Sequence, residues 1–104
     1  MTFNPHLLET QASYAIPLDN GHTLMSEALV RKVPEKRYVC RGRYQSMAVY
    51  AKLFTGKRAQ VHAARDLQGV RLLETAGIST PACLYAGSFE DGQVLVFEAI
   101  ENSE

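Results

Sequence analysis

The apolar residues of this chain recur in two rhythms. From Ala28 onward they first come in short runs, Ala28 to Val33, Arg37 to Arg41 and Met47 to Phe54. Pro34-Glu35-Lys36 and Gly42-Arg43-Tyr44-Gln45-Ser46 separate them, breaks of hairpin length built from turn-favouring residues. Three antiparallel strands in a meander are expected. A period of two puts Ala48, Tyr50, Lys52 and Phe54 on one face of the third strand, and Met47, Val49, Ala51 and Leu53 on the other. Then the rhythm changes. From about Arg58 to Ala76, winding at roughly 100° per residue gathers Ala63, Leu67, Val70 and Leu73 into one arc. Asp66 falls inside that arc, and Gln68 falls opposite it with Arg65 and Leu72. Gly77 is the expected helix stop. An extended connector, Ile78-Ser79-Thr80-Pro81, leads to two more strands, Cys83 to Phe89 and Val94 to Ile100, joined by Glu90-Asp91-Gly92.

These elements predict an α+β domain, a five-stranded antiparallel sheet with one packed helix in the order βββαββ, over residues 27–104. Residues 1–26 are weakly patterned and read as an N-terminal extension. Within them Pro5 begins a helical turn through Leu8, and Tyr14 to Pro17 forms an extended edge segment closed by the turn Asp19-Asn20-Gly21.

Charge changes this picture only locally. Eleven basic and eleven acidic residues cancel over 104 residues, so no global attraction to nucleic acid or anionic lipid is expected. Arg31, Lys32, Lys36, Arg37, Arg41 and Arg43 nevertheless crowd one segment against Glu35 alone, while Glu90 to Glu104 carries acids and no base. Cys40 and Cys83 lie far apart and read as buried thiols of a reducing compartment. His6, His22 and His62 are too scattered for metal-ligand spacing. No apolar stretch approaches the ~20 residues of a membrane span, and the first residues lack a signal core. A cytoplasmic setting is expected, with the inner face of the cytoplasmic membrane as a second placement.

Two residues break the apolar pattern in a way that carries chemistry. Lys52 stands alone in an apolar strand, and Asp66 sits on the apolar face of the helix that follows it. A buried carboxylate needs a partner, since an unpaired buried charge costs several kcal/mol. The helix directly follows the lysine strand, so the two side chains can meet across the sheet face.

With Gly77-Ile78-Ser79-Thr80-Pro81 and Val94-Leu95-Val96-Phe97-Glu98-Ala99-Ile100 in this order, residues 27–101 resemble the N-terminal lobe of the protein-kinase-like fold. The resemblance implies that Lys52 holds a nucleotide's phosphates and that Asp66 pairs with it. It implies that Phe97 guards the back of an adenine pocket, and that the backbone groups of Glu98 and Ile100 bond adenine. Tyr50, the basic strand Arg37-Tyr38-Val39-Cys40-Arg41 and the helix end Leu72-Leu73-Glu74-Thr75-Ala76-Gly77 are similar to the bacterial lipopolysaccharide core sugar kinases. That family implies ATP with Mg2+ as cofactors and a lipopolysaccharide core sugar as acceptor. It also implies a C-terminal catalytic lobe as partner, because the fold's catalytic-loop and metal-binding residues have no counterpart here, and this chain alone is then expected to be inactive. The hairpin Val33-Pro34-Glu35-Lys36 departs from the pattern in lacking glycine. Two other readings stay open at this point: the same lobe of another small-molecule or atypical protein kinase, and a stand-alone α+β interaction module that binds no nucleotide.

Overall fold

The computed structural model describes residues 3–33 and 36–99. Its elements are α1 (Pro5–Thr10), β1 (Tyr14–Pro17), β2 (Thr23–Val33), β3 (Arg37–Tyr44), β4 (Met47–Thr55), α2 (Ala59–Thr75), β5 (Cys83–Phe89) and β6 (Gly92–Glu98). All strand pairs are antiparallel, in the spatial order β1-β2-β3-β4-β6-β5. The two edges then approach each other. Leu18 bridges Phe89, the Asp19 amide donates to the Ser88 carbonyl at 3.0 Å, and the Ser88 hydroxyl donates to the Asp19 carboxylate. The sheet is therefore curled into a half-barrel.

This corrects the expected architecture. Six strands and two helices are present among the described residues, not a five-stranded sheet with one helix in the order βββαββ. The additional helix is the expected helical turn from Pro5, which runs on to Thr10. The additional strand is the extended edge segment Tyr14–Pro17, which pairs with β2 as a sixth strand; β2 also starts earlier than the pattern suggested. The physical reason is legible in the burial. Tyr14, Ile16 and Leu18 point inward, whereas the outward positions between them are Ala15 and Pro17. With apolar residues on both faces, the alternation that would join this extended segment to the sheet is hidden. In β2, Ser26 is buried at 2% exposure where an apolar residue would be expected. Pro17 is compatible with its place because β1 is an edge strand, where a missing N–H is tolerated.

Inside the curl, residues from both edges share one core. Phe3 packs its ring 5.1 Å from Phe89 and 6.0 Å from Tyr14, in one buried cluster with Leu24, Cys40, Val49, Ala51, Leu53, Val94 and Val96. A second, smaller core lies on the outer face, where Phe54, Leu95 and Phe97 of the sheet meet Ala59 and Ala63 of α2. Leu67 and Val70 pack against it, as the helical arc predicts, but Leu73 is 43% exposed. Helix α2 ends in paired carbonyl caps, Gly77 N–H to Glu74 at 3.0 Å and Ile78 N–H to Leu73 at 2.9 Å. Gly77 takes the left-handed φ of 83° that this closure requires.

Strand β3 runs through Gly42 to Tyr44, leaving only Gln45 and Ser46 as the turn into β4. Both have positive φ, 51° and 69°, the mirror-image turn that matches strand twist but disfavours side chains. Ser46→Gly is therefore expected to stabilise the fold by about 1 kcal/mol, read as a higher urea midpoint. An unchanged or lower midpoint would contradict this account of the turn.

Both cysteines are free. Burial pushes the Cys40 and Cys83 thiols above their ordinary 9.0, outweighing the opposing influence of Ser26 on the first and the Tyr85 carbonyl on the second. The unfolded thiols ionise near that ordinary value while the folded ones keep their protons. Their contribution is thus fully present below pH 9.0 and is lost as pH rises toward the folded value. The slope is at most about 1.4 kcal/mol per pH unit per thiol. Urea midpoints should fall between neutral pH and pH values above the ordinary thiol range, and Cys40→Val should lessen the fall. An identical fall in the variant would assign it to other groups.

Candidate functional site

The outer face of the sheet is organised by one register. Lys52 on β4 lies opposite Val39 on β3 and Leu95 on β6, and Tyr50, two residues away on the same face, lies opposite Arg41 and Phe97. Gly56, at φ 88°, turns the chain after β4 and brings α2 back over this face. Because Ala59 and Ala63 are buried against the sheet, Asp66, less than one turn further on, points toward β4. The Lys52 ammonium donates to both Asp66 carboxylate oxygens at 2.9 Å each. The aspartate side chain is 14% exposed and the lysine 31%. A pair this open to water contributes on the order of 1 kcal/mol or less. Its main effect is positional, since it fixes the ammonium 5.7 Å from the centre of the Phe97 ring, within cation–π reach.

Beside the pair runs an open groove of about 270 Å3. Tyr50, Lys52, Phe97 and Glu98 line it, four of the six residues expected at a site. Asp66 joins them through Lys52, and Ile100 lies outside the described residues. Val39, Val70 and Pro81 complete the walls. Tyr50 is 37% exposed, and Phe97 is buried. Glu98 is held twice by the segment before β5: its N–H donates to the Ala82 carbonyl at 2.9 Å, and its carboxylate accepts from the Ala82 amide at 3.3 Å. The Ala99 amide, donating to the Ala48 carbonyl at 3.0 Å, ties the same end of β6 to β4. The result is a mostly apolar slot with an ammonium fixed along one side.

Sequence reasoning did not single out Arg37 as a site residue. Its Nη1 is 3.9 Å from Asp66 Oδ2, and its buried Nε has no hydrogen-bond partner among the described residues. The strand period carried the signal, because Arg37, Val39 and Arg41 alternate on the face that bears Lys52. Pro81 was legible only as part of a connector. No group of three or more His, Cys, Asp or Glu that could hold a metal occurs among the described residues, and Asp66 is already engaged by Lys52. These donors do not make a magnesium site by themselves. No described helix is long and apolar enough to cross a membrane. Comparison with protein-family models, with curated proteins and with solved structures gives no match.

Proposed function

We propose that this chain is the nucleotide-binding lobe of a kinase-like phosphotransferase. The observation that carries the reading is a lysine on an apolar strand, fixed by a helix aspartate at 2.9 Å beside an apolar groove. The groove suits a planar aromatic base laid against Phe97 and Tyr50, with Val39 and Val70 excluding water from its faces. Lys52 then meets the phosphates as a fixed point charge, and Asp66 keeps that charge oriented before the nucleotide arrives. ATP supplies the activated terminal phosphoryl group. The acceptor hydroxyl, which the family resemblance suggests belongs to a lipopolysaccharide core sugar, and the ligands for Mg2+ would come from a second lobe. The part of this chain is to bind and orient. Because the groove is open on one side, affinity for nucleotide is expected to be on the order of millimolar or weaker.

Labelling with an acyl-phosphate derivative of adenosine tests the reading, since such a reagent acylates the lysine that lies against its phosphates. Lys52 should be modified saturably and protected by excess ATP, while exposed Lys32 and Lys57, which line neither the groove nor its neighbouring cleft, react slowly and without protection. Equal labelling of all three, insensitive to ATP, would overturn the proposal. A second reading, an interaction module without nucleotide, is favoured by the exposure of Leu72 (63%), Leu73 (43%) and Ile78 (52%) at one end of α2. It predicts unprotected labelling.

A further inference from the structure

A second cleft of about 300 Å3 opens on the same face, lined by Val33, Lys36, Arg37, Phe54 and His62. It lies between the end of the β2–β3 hairpin, where Val33 pairs with Arg37, and the first turn of α2, which carries His62. One β4 residue, Leu53, separates its wall, Phe54, from Lys52, a step of about 7 Å along the strand. The two clefts are chemically unlike. The groove beside Tyr50 and Phe97 is mostly apolar, whereas this one presents an ammonium, a guanidinium and an imidazole.

Arg37 is the residue that ordinary packing does not explain. Two-thirds of its side chain is buried, with 34% exposed, and its fork faces a carboxylate whose oxygens both already accept from Lys52. The contact that remains is long, 3.9 Å, and the buried Nε donates to nothing among the described residues. A buried guanidinium N–H left without an acceptor is costly, and the planar fork is suited to phosphate oxygens. The hairpin itself, Val33 to Lys36, has no glycine to let backbone amides approach an anion closely.

We infer that this cleft is a phosphate-chain site built from side chains, in which Arg37 is the principal donor and Lys36 and His62 assist. A phosphate chain leaving the apolar groove past Lys52 runs directly into it. Identifying those phosphates as a nucleotide's rests on the function proposed above; the chemistry of the cleft does not. Arg37 would then bind phosphate oxygens with its fork while Lys52 remains held by Asp66.

The test is a titration of the whole chain with tripolyphosphate, ATP and adenosine separately, followed by amide chemical shifts, on the wild type, Arg37→Gln and Arg43→Gln. Arg43 lies on the same strand, 60% exposed and paired with Glu27 at 3.6 Å, and controls for general surface charge. Tripolyphosphate should bind saturably and be displaced by ATP. Arg37→Gln should weaken both by about tenfold, Arg43→Gln by no more than about twofold, and neither should change the adenosine response. Thermal melts establish that the variants are folded, and His62→Gln, expected to weaken tripolyphosphate in the same direction, stands in if Arg37→Gln does not fold. Unchanged tripolyphosphate affinity in Arg37→Gln, an equal loss in Arg43→Gln, or no saturable tripolyphosphate binding would overturn the inference. The two proposals fail separately. Adenosine shifts at Tyr50 and Phe97 without an Arg37 effect on ATP would leave the nucleotide reading standing and remove this one. An Arg37-dependent tripolyphosphate site with no adenosine response would do the reverse.

Discussion

Gly42→Ala is expected to cost about 3 kcal/mol or more of folding stability. A Cβ placed there would sit 1.8 Å from the Met25 carbonyl oxygen, 2.8 Å from its carbon and 3.0 Å from Ser26 Cα. All three are backbone atoms of the paired strand β2, so no side-chain rotation can relieve the contact. The register between β2 and β3 shifts next to this position, between Ser26 and Ala28, which leaves Glu27 as an extra residue. Relief would require β2 to move away from β3, and β2 carries Leu24 and β1 into the inner core. Gly69→Ala is the contrasting control, because a Cβ at that exposed helical position meets nothing within 4 Å. It should stabilise by roughly 0.5–1 kcal/mol through helix propensity. Urea unfolding of both variants measures the difference. A Gly42→Ala protein within about 1 kcal/mol of the wild type would mean that β2 and β3 do not approach as described.

The second large effect is on binding. Lys52→Met should remove detectable nucleotide binding, a loss of about tenfold or more from an already weak affinity, since the ammonium is the charge fixed beside the groove. Stability should change by less than about 1 kcal/mol, for two reasons. The pair is partly open to water, with the lysine 31% exposed. Arg37, 3.9 Å from Asp66, also remains to compensate the carboxylate once the lysine is gone. Methionine keeps most of the apolar stem over Phe97. A variant that loses binding and stability together would show that Lys52 serves the fold first.

What could be read from the sequence depended on how each residue's polarity matched its face. Lys52 and Asp66 were legible because each is charged at an apolar position, and their strand and helix phases required them to face each other. Gly77 was legible because a helix stop of this kind requires a residue that tolerates the left-handed conformation. Tyr14–Pro17 was legible as an extended edge segment, but not as a strand of the same sheet, because Ala15 and Pro17 are apolar on the solvent side as well and the alternation that assigns an inward face is lost. Gly42 was misread as part of a turn, although it is a strand residue whose missing side chain permits close strand approach. Leu73 keeps the helical period of the buried arc but is exposed, since periodicity gives direction and does not say whether a partner surface is there. Arg37 was visible as one of several basic residues, and the strand period put it on the face of Lys52, but only its 3.9 Å approach to Asp66 showed that the two share a carboxylate.

The nucleotide reading is tested most directly by titrating the wild type and Lys52→Met with ATP while following amide chemical shifts. The account predicts saturable wild-type shifts concentrated at Tyr50, Lys52, Phe97 and Glu98, absent from the variant at the same concentrations. Identical responses in the two proteins, or shifts spread over the basic residues of β3 with none at Tyr50 and Phe97, would contradict it.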